Sequence, residues 1–334
     1  MRVVEVSCNI CGSNERTILI KTPFDLVRCE RCGLVYVTPR PAEEELAGLY
    51  SFDRYHIAQR DEKRQRKDLR KFERRMRIIM SYRPDRGRIL DVGCSTGLFL
   101  RKAEEYGWRA YGIDISEDAA RYARENYGLN VIGGKIETSD FKPGFFDVIT
   151  FFDSLEHMAD PLRALRRARE LLKEGGLIVI TTPDISGLLP MATYLILAKR
   201  FGIWHHPSPP AHLYEFSKVT VRKLLKKAGF KTIYISSEQI PMGYSVGKLE
   251  TALITIIKAC LSGEPASHVE RPGDRSLPNS VSASGPTNIS RKAARLAVRG
   301  GSYAIVALAH LISHILGRGD SMLVMARKTG LEGT

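Results

Sequence analysis

The sequence lacks any long apolar run free of charge. The stretch 188–198 holds 11 residues, where a bilayer-spanning helix needs about 20. The stretch 249–261 is also too short. The stretch 293–316 reaches the length only by including Arg295, Arg299, two histidines and a Gly300-Gly301 break. All three read as amphipathic helices covering the edge of a domain, not as membrane spans. The N-terminal MRVVEVSCNI has no apolar core, so no signal peptide is expected. Internal repeats are absent, and so is the G-x-G-x-x-G fingerprint of a dinucleotide site. Cysteine is scarce: six residues in 334, four of them in two Cys-x-x-Cys pairs. That pattern favours thiolate metal ligation in a reducing, cytoplasmic compartment over a disulfide framework.

What is present fits an ordinary globular protein, with 43% hydrophobic and 26% charged residues. The length allows one large domain or two modest ones. The net charge of +14 suits nucleic acid, an anionic membrane surface or acidic substrates, and equally a basic enzyme.

The informative stretch is RILDVGCSTGLFLRKAEEYGWRAYGID, from Arg88 to Asp114. Arg88 to Val92 reads as a buried strand, Gly93-Cys94-Ser95-Thr96-Gly97 as a small-residue turn, and Leu98 to Tyr106 as a helix. A second strand, Trp108 to Ile113, ends on Asp114. This is half of a doubly wound nucleotide-binding unit, with a carboxylate placed for ribose hydroxyls. Asp91 before the turn would repel a pyrophosphate but suits a ligand carrying an ammonium and a sulfonium. Downstream, Ser116 caps a helix that Gly128 closes, and 130–132 is a third strand. Phe146 to Phe152 is a buried parallel strand running into Asp153-Ser154-Leu155-Glu156-His157-Met158-Ala159-Asp160-Pro161.

Together these residues resemble the class I S-adenosylmethionine (SAM)-dependent methyltransferases. The turn resembles their D-x-G-C-G-x-G motif, with Ser95 in place of the middle glycine, and Leu155 to Pro161 resembles their L-E-H-x-x-D-P. The resemblance implies an α/β, Rossmann-like, seven-stranded mostly parallel sheet closed by an antiparallel hairpin of 230–236 with 321–326. It implies SAM contacts at Asp91, Gly93, Cys94, Gly97, Asp114, Ile115, Ile136, Glu137 and Asp153. Lys135 stands where the family often has Asp.

The pairs Cys8/Cys11 and Cys29/Cys32 are 17 residues apart, the spacing of a tetrahedral structural zinc site. The run CGLVYVTPRPAEEELAGLY resembles the zinc-binding segment of a methyltransferase subset that includes bacterial deoxysugar C-methyltransferases. H-L-Y-E-F-S at 212–217 resembles an H-L-x-x-F-S motif of the same enzymes. Their matching histidine makes His212 the candidate base, with His157 the second; a structural hydrogen bond is an equal reading for His157. His205 and His206 read as solvent or rim residues.

Residues 60–77 carry ten Lys/Arg against four Asp/Glu on an amphipathic helix with a basic outer face. Residues 262–292 read as a disordered polar linker. The expected organisation is a zinc ribbon (1–40), a helical linker or lid (41–87), a SAM-binding domain (88–239), a helical insertion (240–318) and a final strand and tail (319–334). The expected activity is methyl transfer from SAM to a hydroxyl or carbon of a small-molecule, sugar or lipid-linked acceptor. Structural zinc is the second cofactor. The apolar helices have two readings: they simply pack on the domain, or they leave an apolar groove through which 240–318, aided by the basic helix, makes peripheral contact with the inner membrane face. The alternative is a zinc-ribbon nucleic-acid-binding protein with an RNA-directed or inactive methyltransferase domain. It is the minority reading because the ribbon has no dense basic cluster.

Overall fold

A computed structural model describes residues 2–49, 62–204, 206–262 and 288–329. The chain begins with β1 (Val3–Val4), β2 (Arg16–Ile20), β3 (Leu26–Cys29), β4 (Val35–Val37) and β5 (Arg40–Pro41). Helices α1 (Glu43–Leu49) and α2 (Glu62–Tyr82) follow. The central units are then β6 (Arg88–Val92), α3 (Leu98–Glu105), β7 (Arg109–Asp114), α4 (Glu117–Tyr127), β8 (Asn130–Gly133), β9 (Phe146–Phe152), α5 (Pro161–Leu171) and β10 (Leu172–Pro183). α6 (Leu188–Thr193) passes through a π-helical turn, Tyr194–Ala198, into α7 (Lys199–Phe201). β11 (Tyr214–Glu215), α8 (Lys218–Lys227), β12 (Phe230–Glu238), α9 (Met242–Ser262), α10 (Asn288–Leu316) and β13 (Ser321–Lys328) complete the described chain.

Seven strands form one sheet in the order β12-β13-β10-β9-β6-β7-β8. β13 runs antiparallel to both β10 and β12, and the described β6–β10 pairings are parallel. The expected hairpin is present, with Phe230 opposite Lys328 and Ser236 opposite Leu323. Strand periodicity assigns neighbours to opposite faces. Ile89, Val148, Val179 and Leu323 meet α2, α3 and α4 on one side. Leu90, Ile149, Ile178 and Val324 meet α5 and α8 on the other. Cys8, Cys29 and Cys32 belong to that second layer too.

The ribbon is therefore built into the molecule. Its sheet, β11-β4-β3-β2, takes its edge strand from far along the chain: Tyr214 and Glu215 pair with Tyr36 and Val35. Asn9 bridges to the cap of α5, donating to Asp160 Oδ1 at 2.8 Å and accepting from the Leu162 N–H at 3.0 Å. Arg40 donates to the Tyr214 hydroxyl at 2.8 Å and to the Ala159 carbonyl at 2.7 Å.

Three expectations change. α10 starts at Asn288, so the last residues expected in the linker 262–292 are helical, and Gly300-Gly301 lie inside one continuous helix. The helix is amphipathic and stacked on α9, and that packing offsets the roughly 1 kcal/mol helix cost of each glycine. The linker portion 263–287 lies outside the described residues, as do Arg60, Asp61 and His205. In α2, Arg66, Arg70, Arg74 and Arg77 are exposed, but Lys71 and Arg75 turn inward, so the basic residues do not share one outer face. No described helix is long and apolar enough to cross a membrane.

Candidate active site

The carboxyl ends of β6, β7 and β9 open into a cavity of about 760 Å³, roofed by α1, α2 and the start of α9. Ligands of open α/β sheets bind in this position. Asp91, Gly93, Cys94, Asp114, Ile115, Ile136, Glu137, Asp153, His157 and His212 all line it. Gly97 does not. It caps α3 in a left-handed conformation (φ 81°), and a Cβ there would meet Leu129 Cδ1 at 2.4 Å, so its role is packing. His206, expected at the rim, lines the cavity. Its Nε2 is buried without a partner among the described residues, and burial lowers its pKa.

The turn after β6 folds tightly because Gly93 is left-handed (φ 78°), and a Cβ there would strike the Ser154 Cβ at 2.6 Å. Ser95 also takes left-handed backbone, φ 51°. That costs a residue with a Cβ about 1 kcal/mol, and its N–H donates to Asp114 Oδ2 at 2.7 Å. The Ser116 N–H holds Asp114 Oδ1 at 2.9 Å. Two backbone donors thus fix the carboxylate of Asp114 at the end of β7. Asp91 is buried and accepts from Thr150 Oγ1 at 2.6 Å. Burial raises its pKa to about 7, against the Thr150 hydrogen bond and the charge of Arg75.

Beside it, Asp153 is left-handed (φ 53°) and held by Thr181, whose Oγ1 donates to Oδ1 at 3.0 Å. Burial disfavours its charge, but Lys71 at 3.2 Å and Arg75 at 3.8 Å hold it ionised, well below the usual carboxylate range. Arg75 is fully buried, lies over the Phe152 ring and reaches Glu238 at 3.6 Å. On the far side Ile136 is buried, and burial raises the pKa of Glu137. Lys135 pairs with Glu43 of α1 at 2.6 Å, tying the roof to the β8 loop.

Two histidines also line the cavity in edge-to-face contact, ring centres 4.9 Å apart. His157 Nδ1 faces the Ala211 carbonyl at 2.8 Å. A carbonyl only accepts, so Nδ1 carries the proton and Nε2 the lone pair. Burial and the neighbouring His212 lower its pKa to about 3. His212 differs. Burial opposes its charge, but Glu215 at 3.1 Å and the nearby Glu156 outweigh it, and its pKa is raised. Glu215 sits on β11, fully buried against the ribbon. Burial pushes the Glu156 carboxyl up to about 8. Ligand atoms of Glu156, His157 and His212 lie within 4.8 Å of one another and could hold a cation.

The four ribbon sulfurs also lie within 4.8 Å of one another. Cys8 and Cys32 are 3.3 Å apart and Cys11 and Cys29 3.4 Å, against about 3.8 Å for sulfurs bound at about 2.3 Å around one tetrahedral zinc. Each pair is followed by a left-handed glycine whose N–H returns to the first cysteine's carbonyl: Gly12 to Cys8 at 2.8 Å, Gly33 to Cys29 at 2.9 Å. Burial raises the Cys29 thiol, but hydrogen bonds from Cys32, Cys11 and Arg31 outweigh it and bring its pKa down to about 7. Burial pushes Cys8 up. Four cysteine sulfurs gathered this closely could hold a tetrahedral zinc, whose charge would favour their thiolate forms.

The family profile described as a methyltransferase domain matches residues 60–235, more than half of the chain. The chain belongs to this methyltransferase family. Its sheet is the class I methyltransferase sheet, and the cofactor of the domain is SAM. Among curated relatives, the ubiquinone biosynthesis O-methyltransferase of Methylococcus capsulatus is 36% identical over 116 residues, 32% of this chain and 48% of that protein. The same enzyme of Thiobacillus denitrificans is 33% identical over 115 residues, 32% and 50% of the two chains. The chain thus spans about half the length of the curated relatives it matches. Similar solved structures include a SAM-dependent methyltransferase from Archaeoglobus fulgidus, at 18% identity and TM-score 0.46, covering 78% of this chain and 94% of that one. A putative sarcosine dimethylglycine methyltransferase from Galdieria sulphuraria gives 16% identity and TM-score 0.47, covering 78% and 86%.

Sequence reasoning missed Glu215, Glu156, Thr150, Arg75 and Glu238. Glu156 and Glu215 stood inside the quoted motifs. Arg75 and Glu238 carried no local signal.

Proposed function

We propose that the protein transfers the methyl group of SAM to a hydroxyl or carbon of a small acceptor, and that the acceptor is a sugar or a lipid-linked molecule. Bound SAM supplies a methyl already activated by its sulfonium, so the chain's task is alignment and proton removal. Asp91, with the turn Gly93-Cys94, would meet the ammonium, and Asp114 with Ile115 the ribose. Ile136 would pack on the adenine face and Glu137 meet its amine. Asp153 would bound the methionine end. His212 would take the acceptor proton, held and made more basic by Glu215; neutral His157 would orient the acceptor. The observation that carries this reading is one cavity lined by both a fixed carboxylate at the end of β7 and a carboxylate-backed imidazole.

The curated relatives are O-methyltransferases, which makes hydroxyl the first choice of acceptor group. Cys8, Cys11, Cys29 and Cys32 would hold one structural zinc, and four thiolates leave no open position for chemistry. In domain terms, 1–40 is the zinc ribbon, 41–87 the roof, 88–239 the SAM-binding domain, 240–318 the insertion and 319–334 the closing strand and tail. The site of action is cytoplasmic, at the inner membrane face. With labelled SAM and a fractionated lysate as acceptor source, His212→Asn should cut turnover about 100-fold while S-adenosylhomocysteine still binds. Equal loss of both would make His212 structural, and loss of neither would place the base elsewhere.

A further inference from the structure

α10 is folded inside out. Its inward residues include Ser302, His310 and Ser313 beside Val306. Its outward face carries Ile305, Leu308, Leu311, Ile312, Ile315 and Leu316, with Leu308 58%, Leu311 59% and Ile315 73% exposed. The spacing 305, 308, 311/312, 315 is one helical stripe. Leu195 and Ile196, in the π-helical turn after α6, are also exposed, at 53% and 64%. A helix meeting water would show the reverse arrangement, because large aliphatic side chains are stabilised by leaving water.

We propose that this face is an interfacial docking surface for an anionic lipid bilayer, with α10 lying in the headgroup plane. Three observations choose that occupant. The first is charge: neither 188–201 nor 288–316 contains an Asp or Glu, while Lys199, Arg200, Arg299 and Arg318 are exposed. A second copy of the chain would bring these cations against their own kind, whereas an anionic leaflet complements them. The second is the composition of the rest of this chain. The connecting residues 263–287, GEPASHVERPGDRSLPNSVSASGPT, have too few large apolar side chains to cover the stripe. The third is depth: no described helix is apolar enough to span a bilayer, so the face lies on the membrane, not through it.

The face also has a route to the cavity. α10 and α9 stack on each other, and Ile240 and Pro241 just before α9, with Tyr244 and Lys248 in its first two turns, line the active-site cavity. Docking would thus set the cavity mouth beside the bilayer. This deepens the lipid-linked acceptor reading and names the surface for it, but the contact itself stands on α10 and not on the chemistry.

The full chain is sedimented with vesicles of phosphatidylcholine alone or mixed equally with phosphatidylglycerol. The account predicts binding to the mixed vesicles, weakened by salt, and at least a tenfold lower partition for Leu308→Glu/Leu311→Glu/Ile315→Glu. S-adenosylhomocysteine affinity should stay unchanged in that variant, which separates docking from cofactor binding and from misfolding. Ile315→Glu alone, at the most exposed position, should show a smaller loss in the same direction. Two results overturn the proposal: no binding to anionic vesicles, or variants that bind as well as the parent. A parent that is a dimer by analytical ultracentrifugation, made monomeric by the triple change without any vesicle binding, would assign the face to a second copy instead.

Discussion

At the scale of single residues, burial sets acids and bases of the cavity against one another. Glu215 raises the His212 pKa above its ordinary value of about 6.5. A base must be unprotonated, so turnover should rise as pH passes through that raised ionisation. Removing the negative charge in Glu215→Gln lowers the imidazolium pKa, so the rising limb should move to lower pH while kcat falls about tenfold or more. A pH–rate profile that does not move would show that the pair is structural. Asp91 gives the opposite kind of test. Its folded-state pKa is raised to about 7 by burial, so lowering the pH neutralises it and favours the empty cavity. A ligand ammonium needs the charged form. Affinity for S-adenosylhomocysteine should therefore weaken below pH about 7, approaching tenfold per pH unit, and Asp91→Asn should flatten that slope. A flat profile in the parent would remove Asp91 from the cofactor site.

Among the elements, the one that matters most for chemistry is the smallest. β11 is two residues long and pairs with β4 of the ribbon, three residues after the cluster's last cysteine. His212, the proposed base, stands two residues before β11 and Glu215 within it, so the ribbon holds both in register with the cavity. Metal removal should act at a distance. Chelation is expected to lower kcat about 10- to 100-fold, as displacement of a catalytic group by about 1 Å does, with S-adenosylhomocysteine affinity nearly kept. Metal analysis should find one zinc per chain. Full turnover by metal-free protein would contradict this link.

This contact explains what was legible and what was not. The β6 turn could be read because its signal lies within a short window, a Gly-bounded turn after an apolar run, whereas the pairing of β12 with the distant β13 was legible only through the family resemblance. The two cysteine pairs could be read from spacing alone. The seat of His212 could not, because it depends on a pairing between residues near positions 36 and 214. Nor could the inward turn of Lys71 and Arg75, since charge on a helix does not say which face meets a cavity lined by Asp153 and Glu238. Apolar periodicity shows that α10 has two faces, and not which of them is inside.

For the whole molecule, the net charge of +14 divides into distinct uses. Arg75 and Lys71 neutralise acids of the cavity, Lys223 donates to the carbonyl of Cys32 on the ribbon, and Arg299 and Arg318 rim an apolar face. Ribbon, sheet and insertion all converge on one cavity, and the central claim is that this cavity binds SAM for methyl transfer. The most direct test is calorimetric titration of the full chain with S-adenosylhomocysteine. The account predicts one site per chain, with binding weakened at least tenfold in Asp114→Ala, which removes charge-assisted hydrogen bonds worth about 1.5–3 kcal/mol each. No binding by the parent protein, or unchanged affinity in Asp114→Ala, would contradict it.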